Sequence, residues 1–324
     1  IFNVTGKLNS TGNVARIQGT SGGGMGAILQ ILMVEYVESL VANFTASPTI
    51  GVVPLTVQFT DLSTGAAEWY WDFDNDTIID SREQNPTYTY TQPGTYTVTL
   101  TVRGPGGENT LTKENYITVA KVMNLDTNRT FDRIQDAIND NSTVAGHTIL
   151  VGEGNYTENI ILNKPLTLKA NGLVNIIAST STGTVIDVKA NDTRIEGFTI
   201  QGANGTNGKG INIDGQYRCI LINNTVINNY YGIYIKDSEG CQLHNNRLQD
   251  NLLNFGVFDT VSTDGSKFNQ EIDTSNTING NPVYYLKNVQ NRTINETVGF
   301  LAIINGTNVT IKDITISNNS QGIL

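Results

Sequence analysis

Cations and sulfur are what this chain has least of. In 324 residues there are 20 Lys and Arg against 30 Asp and Glu, a formal net charge of −10. Nucleic-acid binding rests on clustered Lys and Arg, so this balance argues against such a partner. Two cysteines cannot build a disulfide framework. With two histidines and three methionines beside them, the soft ligands that a copper centre needs are missing. No run of about twenty apolar residues occurs, so no membrane-spanning helix is expected. The first residue is Ile1 rather than Met, which fits a removed signal peptide or a fragment.

What is abundant is Gly, Asn, Thr, Val and Ile. Branched residues fit pleated strands, and Gly and Asn fit tight turns, so the fold class is all-β. Fifteen Asn-x-Ser/Thr sequons start at Asn3, Asn9, Asn43, Asn75, Asn128, Asn141, Asn155, Asn191, Asn204, Asn223, Asn291, Asn295, Asn305, Asn308 and Asn318. They mark candidate glycosylation sites and an extracellular glycoprotein of the cell surface.

Three segments follow one another. Residues 1–40 contain a flexible SGGGMG joint and the apolar AILQILMVEYVESL. That stretch fits either a strand packed on its own domain or a strand-forming arm that adds to a neighbouring copy. Residues 41–120 hold short Thr/Val/Tyr strands split by turn signals such as Gln92-Pro93-Gly94, the pattern of a small β-sandwich. From 121 to 324 one short helix is expected, with Phe131, Ile134 and Ile138 on one face. Short strands repeat after it: GINIDGQYRC (210–219) and GIYIKDSEGC (232–241) are 22 residues apart, as are NNTV and NNRL. A period of that length built from short strands predicts a parallel β-helix.

ANFTASPTIGVVPLTVQFTDLSTG, WYWDFDND, NPTYTYTQPGTYTVTLTV and NYITV resemble a PKD domain. The resemblance implies an immunoglobulin-like spacer or adhesive module, not a catalyst. FDRIQDAIND, TILVGEGNYTENIILNKPLTLKANG and IDTSNTINGNPVYYL are similar to the NosD-like, right-handed β-helix repeats of archaeal and bacterial surface proteins. PKD followed by such repeats resembles the large surface-layer or adhesin-like proteins of methanogens.

Strand alternation stacks the coils. One strand is expected to align Thr184 with Ile211 and Ile233, and Ile186 with Ile213 and Ile235, all inward. Val185, Asn212 and Tyr234 would point out, as would Asp187, Asp214 and Lys236. The second strand aligns Ile195, Leu221, Leu243 and Ile311, then Ile200, Val226, Leu248 and Ile316. Asn224 and Asn246 share a slot with Phe198 and Ile314, so they are expected to face in as an amide ladder rather than as a binding site. Cys219 and Cys241 share another with Thr193 and Val309, close enough for a disulfide to be considered. His244 is placed on a mixed outer face with Glu196, Ile222 and Lys312, while Asp250 and Asn251 make a turn.

β-Helix enzymes acting on sugars need paired carboxylates on one outer face. Asp187 and Asp214, with Arg194 and Arg218 nearby, make a poor set, so no catalytic residues are expected. One metal candidate stands apart. Asp72, Asp74, Asp76, Asp80 and Glu83 occupy loop positions 1, 3, 5, 9 and 12 of an oxygen-ligand Ca²⁺ loop, with Thr77 where such loops carry Gly. The functional expectation is a structural subunit of a surface layer, sheath or filament that binds copies of itself. Residue 324 falls inside the coil pattern, which fits docking or continuation there. The alternative is a carbohydrate-binding or polysaccharide-degrading β-helix, with cell-surface glycans as partners and Tyr234 as its outward aromatic.

Overall fold

The computed structural model describes residues 39–324. The expected N-terminal arm and the sequons at Asn3 and Asn9 lie outside the described residues. Two compact units are found. Residues up to 49, with 57–88 and 95–117, make the first; 50–56, 89–94 and 118–324 make the second.

The first unit is built from β1 (Phe44–Ser47), β3 (Leu55–Asp61), β4 (Glu68–Asp72), β5 (Thr87–Tyr90), β6 (Gly94–Gly104) and β7 (Gly107–Ala120). A short β2 (Ile50–Val52) pairs in parallel with the last residues of β7, Thr118–Ala120, and both stretches belong to the second unit. One sheet runs β1-β3-β5 and the other carries β7-β6-β4. Alternation explains the core: in LTVQFTD, Leu55, Val57 and Phe59 are buried while Thr56, Gln58 and Thr60 are exposed. Phe44, Phe59, Trp71 and Phe73 meet with ring centroids 4.6–6.5 Å apart. Each such ring adds about 1.5–3 kcal/mol on full burial.

The second unit opens with β8 (Val122–Asn124), β9 (Arg129–Phe131) and α1 (Ile134–Asn139). The buried Glu158 carboxylate accepts the Ile134 and Gln135 amides at 3.0 and 3.1 Å, capping the first turn of α1 from 24 residues away. Then come β10 (Thr148–Val151), β11 (Gly154–Thr157), β12 (Ile160–Leu162), β13 (Thr167–Ile177), β14 (Thr184–Val188), β15 (Arg194–Gln201), β16 (Lys209–Asp214), β17 (Ile220–Ile222), β18 (Thr225–Ile227), β19 (Tyr231–Lys236), β20 (Gln242–His244), β21 (Arg247–Gln249) and β22 (Leu253–Phe258). Strands of successive coils pair in parallel: β12-β14-β16-β19-β22 form one sheet, and β13 leads through β15 to β17 and β18, then β20 and β21, in another. Inward columns run Leu168–Ile195–Leu221–Leu243 and Ile176–Ile200–Val226–Leu248, all buried.

One expected register is corrected. Ile186 aligns with Ile211 and Val188 with Ile213, so the 184–188 strand sits two residues from where it was placed. Val185, expected outward, is fully buried. A shift of two leaves the alternating pattern intact, so alternation cannot detect the new register, and it does not account for Val185, which is buried next to buried Ile186 and so breaks the alternation itself. Asp187 consequently stacks with Asn212 and Tyr234, and not with Asp214.

The last strands depart further. After β23 (Glu271–Ile272) and β24 (Thr277–Ile278), the chain reverses at Gly280, where φ is 83°, and β25 (Asn281–Lys287) pairs antiparallel with β24. β26 (Gln290–Ile294), β27 (Phe300–Ile304) and β28 (Thr307–Ile311) follow with a 17-residue offset: Val283 aligns with Phe300, and Arg292 with Val309. Ile311 therefore stacks on Ile294, not under Leu243. Val309, Ile314 and Ile316 pack on a separate apolar cluster of Ile294, Val298 and Leu301, outside the slots expected for them.

Candidate metal centre and the stacked amides

The acidic stretch forms a closed loop after β4. Trp71 N–H reaches Ser81 O at 2.9 Å, and Asp80 N–H reaches Trp71 O at 2.8 Å. Inside that clasp each aspartate takes backbone donors. Asp72 accepts Asn75 N–H at 2.7 Å and Thr77 N–H at 3.0 Å, Asp76 accepts Ile78 N–H at 2.7 Å, and Asp80 accepts Phe73 N–H at 2.7 Å. Asn75 and Thr77 are left-handed, with φ of 63° and 74°. Thr77 thus adopts the conformation that the calcium-loop pattern reserves for Gly at that position, at a steric cost to a β-branched residue.

Three of the five candidate ligands converge. One carboxylate oxygen each from Asp72, Asp74 and Asp80 lies within 4.8 Å of the others. Oxygens held 2.3–2.6 Å from one Ca²⁺ span at most about 5 Å, so this trio fits a single hard cation. Asp76 is spent on the loop, and the Glu83 backbone carbonyl instead accepts the Trp71 indole N–H at 2.8 Å. Burial first, then the charges of Asp74, Asp72 and Asp76, push the Asp80 carboxyl above its ordinary value against the Phe73 hydrogen bond. The same loop, after burial, raises the Tyr88 hydroxyl. Crowded like charges of this kind are relieved by a bound cation.

The asparagines of the coils face inward and form a ladder. Asn224 Nδ2 donates to Asn246 Oδ1 at 3.0 Å, and Asn246 Nδ2 to Asn276 Oδ1 at 2.9 Å. Each oxygen also accepts a backbone N–H: Asn224 Oδ1 from Phe198, Asn246 Oδ1 from Asn224, and Asn276 Oδ1 from Asn246. Each nitrogen reaches back to a carbonyl, Ile195 O for Asn224 and Leu221 O for Asn246. All three side chains are at most 1 % exposed.

A second ladder was not anticipated. Asn229 Nδ2 donates to Asn251 Oδ1 at 3.1 Å and Asn251 Nδ2 to Asn254 Oδ1 at 3.0 Å, so Asn251 is a buried rung and not a turn residue. A signal for it existed. In Asn223-Asn224, Asn228-Asn229, Asn245-Asn246 and Asp250-Asn251 the first residue turns the corner at φ of 53–57°, and the second points in. Asn and Asp tolerate that left-handed corner best after Gly.

The other marked residues have partners. Cys219 and Cys241 are buried free thiols in neighbouring coils, and no disulfide joins them. The Cys241 thiol, then burial, push the Cys219 thiol upward. His244 lies in the outer column of Glu196 and Ile222, as expected, with Nδ1 2.7 Å from Asp273; Lys312 is elsewhere. Asp187 meets Asn212 and Lys189, Arg194 meets Glu196, and Asp214 meets Lys236. Arg218 forks onto Asp192 at 2.7 and 2.8 Å. Outward Tyr234 stacks on Phe258 at 4.7 Å, with Lys209 Nζ 5.1 Å from its ring centroid.

The double-sheet unit defines the first class. Residues 41–117 match the PKD domain, so the chain is nearly all β and carries that immunoglobulin-like module. Among curated proteins, a "Cell surface glycoprotein" of Methanothermus fervidus is 49 % identical over 119 residues. The match covers 35 % of this chain and 19 % of that protein, so the chain spans about a fifth of its relative. Among solved structures, the PKD1 domain of the Vibrio cholerae metalloprotease PrtV is 34 % identical, covering 25 % of this chain and 96 % of that one, with a TM-score of 0.21. A pectin methylesterase in complex with a hexasaccharide is 16 % identical over 58 % of this chain and 64 % of that one, with a TM-score of 0.33. Among the described residues no helix is long and apolar enough to cross a membrane.

Proposed function

We propose that this is a structural glycoprotein of the cell surface, a subunit of a surface layer, sheath or filament that assembles with copies of itself. The observation that carries the reading is the 49 % identity to the Methanothermus fervidus cell surface glycoprotein. The stacked coils are read as a right-handed parallel β-helix, a scaffold held by internal amide ladders and apolar columns. The outer carboxylates Asp187, Asp192, Glu196 and Asp214 are each matched by a cation, which supports a role without catalysis for that face. Electron microscopy of the native material is the test: ordered lattices or tubes are expected, and a dispersed monomeric protein overturns the reading.

Calcium belongs to the same proposal. Asp72, Asp74 and Asp80 would hold one Ca²⁺, with Asp76 and Glu83 serving the loop around it. Titration calorimetry at millimolar Ca²⁺ checks this, and the absence of both heat and any melting shift sinks it. The second reading, glycan binding on the outer face, has one observation in its favour: Tyr230, Tyr231, Tyr234 and Phe258 form a continuous aromatic strip, with centroids 4.7–5.2 Å apart. Against it, Tyr234 already packs on Phe258 and Lys209, which leaves less ring face for a sugar.

A further inference from the structure

The fold separates ten of the described sequons into two chemically different sets. A sequon accepts a glycan only when its asparagine nitrogen can reach the donor and its Ser/Thr hydroxyl can be recognised. In the transfer, the amide nitrogen attacks the anomeric carbon of an oligosaccharide activated as a glycosyl phosphate. The N–C bond forms, the C–O bond to phosphate breaks, the phosphate leaves with that electron pair, and the nitrogen gives up one proton. All of this needs an unengaged amide and an accessible hydroxyl.

Among the described residues seven sequons meet the condition; one of them, Asn75 with Thr77, lies in the acidic loop and is set apart, and six lie outside it. Asn43, Asn128, Asn155, Asn204, Asn291 and Asn295 are exposed, and so are Thr45, Thr130, Thr157, Thr206, Thr293 and Thr297 two residues on. Asn155 and Asn291 use only their oxygens, accepting from Asn175 and Asn308. Four sequons fail it. For Asn141, the hydroxyl of Thr143 is 1 % exposed, donates to Ala137 O at 2.7 Å and accepts from Asn124. For Asn191, Thr193 is fully buried and bound to Ala190 O at 2.9 Å, while the Asn191 oxygen holds Tyr217 N–H. For Asn305 and Asn308 the hydroxyls are open but the nitrogens are engaged. Asn305 Nδ2 donates to Asn288 at 2.6 Å, and Asn308 Nδ2 to Asn291 at 2.7 Å, in a second, exterior set of stacked amides.

We infer that oligosaccharide is attached to the folded chain, and that the fold admits it at the first six sites while leaving Asn141, Asn191, Asn305 and Asn308 bare. The inference rests on the glycoprotein reading above and adds to it which nitrogens carry sugar. Of the stacked pair Asn291 and Asn308, the lower rung is glycosylated and the upper one is not, although both are exposed and only 17 residues apart in the coil.

Site-resolved glycopeptide mass spectrometry of the protein taken from its native surface tests this. Glycan on the six open sites, with loss of signal at the four closed ones, is expected. Glycan on Asn141 or Asn191 at the level of the open sites means that attachment precedes folding; it overturns the inference and leaves the glycoprotein reading intact. A chain with no glycan at all overturns both. Asn288→Gly keeps the left-handed backbone at a residue whose φ is 55° and frees the Asn305 nitrogen. Produced in the same cells, that variant is expected to gain a glycan at Asn305 and stay bare at Asn141. An Asn305 that stays bare while Asn291 is occupied overturns the role given to the amide pair.

Discussion

The acidic loop and the asparagine ladders solve one problem with different side chains. Both bring a short side-chain oxygen to a backbone N–H that has no strand partner. The loop uses carboxylates, which accept only. Every added aspartate satisfies another amide but also adds charge, and Asp80 shows the cost in a carboxyl pushed upward. The ladder uses carboxamides, which accept and donate in the same plane, so each rung satisfies the next and the motif grows without accumulating charge. The carboxylate device is self-limiting and leaves spare acceptor capacity for a cation. The amide device is extensible and leaves nothing over.

That contrast can be broken by mutation. Asn246→Ala removes the middle rung, which strips partners from Asn224, Asn276 and the Leu221 carbonyl. A loss of about 3–4 kcal/mol is expected from buried groups left unpaired, read by urea denaturation. Asn245→Ala beside it gives up only a left-handed corner and should lose about 1 kcal/mol. Equal losses would mean that the ladder contributes no more than the turn. For the loop, Ca²⁺ at a hundredfold excess over its Kd is expected to stabilise the fold by about 2.7 kcal/mol, and Asp72→Asn to abolish that shift in thermal melting. Smaller still, Thr77→Gly should relieve the strained corner and gain about 0.5–1 kcal/mol in metal-free buffer, less the extra chain entropy of Gly.

Acid sharpens the comparison last. The folded-state carboxyl of Asp80 is raised, so it opposes folding above that raised value and the penalty fades as pH falls toward 3.8. Asp192 runs the other way. The Arg218 hydrogen bonds hold its carboxyl below 3.8, a stabilisation present above that value and lost as pH falls through the depressed one. Asp80→Asn should therefore raise the metal-free melting temperature at pH 7 relative to pH 4, whereas Arg218→Ala should lower it at pH 7, by an amount that shrinks as acid protonates Asp192.

How far the sequence carries the fold depends on what each residue reports. The columns through Leu221 and Leu243, and through Val226 and Leu248, were legible because two coils of 22 residues repeat their apolar spacing. The register of Ile186 was not, because its strand opens a coil of a different length and a two-residue slip preserves the pattern; Val185 was not, because it and Ile186 are buried in succession, against strict alternation. Val309, Ile311, Ile314 and Ile316 were misplaced because the reversal at Gly280 changes the period to 17 while the sequence keeps its Ile-x-Ile rhythm. The acidic spacing located Asp72, Asp74 and Asp80 but could not tell which of the five carboxylates converge, because all of the aspartates also serve their own loop. Asn251 was missed for a like reason: next to Asp250 it reads as a turn, and only stacking on Asn229 reveals the rung.

The ladders also set a chemical clock. A rung works only while its nitrogen is there to donate. Spontaneous hydrolysis of a single carboxamide to a carboxylate would put an acceptor against an acceptor, and a charge, in the middle of a dry column. The hydrolysis begins when the following backbone nitrogen swings onto the side-chain carbonyl. At Thr225 and Arg247, which follow Asn224 and Asn246, that nitrogen is held in a parallel strand. The geometry that stacks the coils therefore protects the residues that hold them, and the ageing of this protein should start at its exposed asparagines and reach the rungs last.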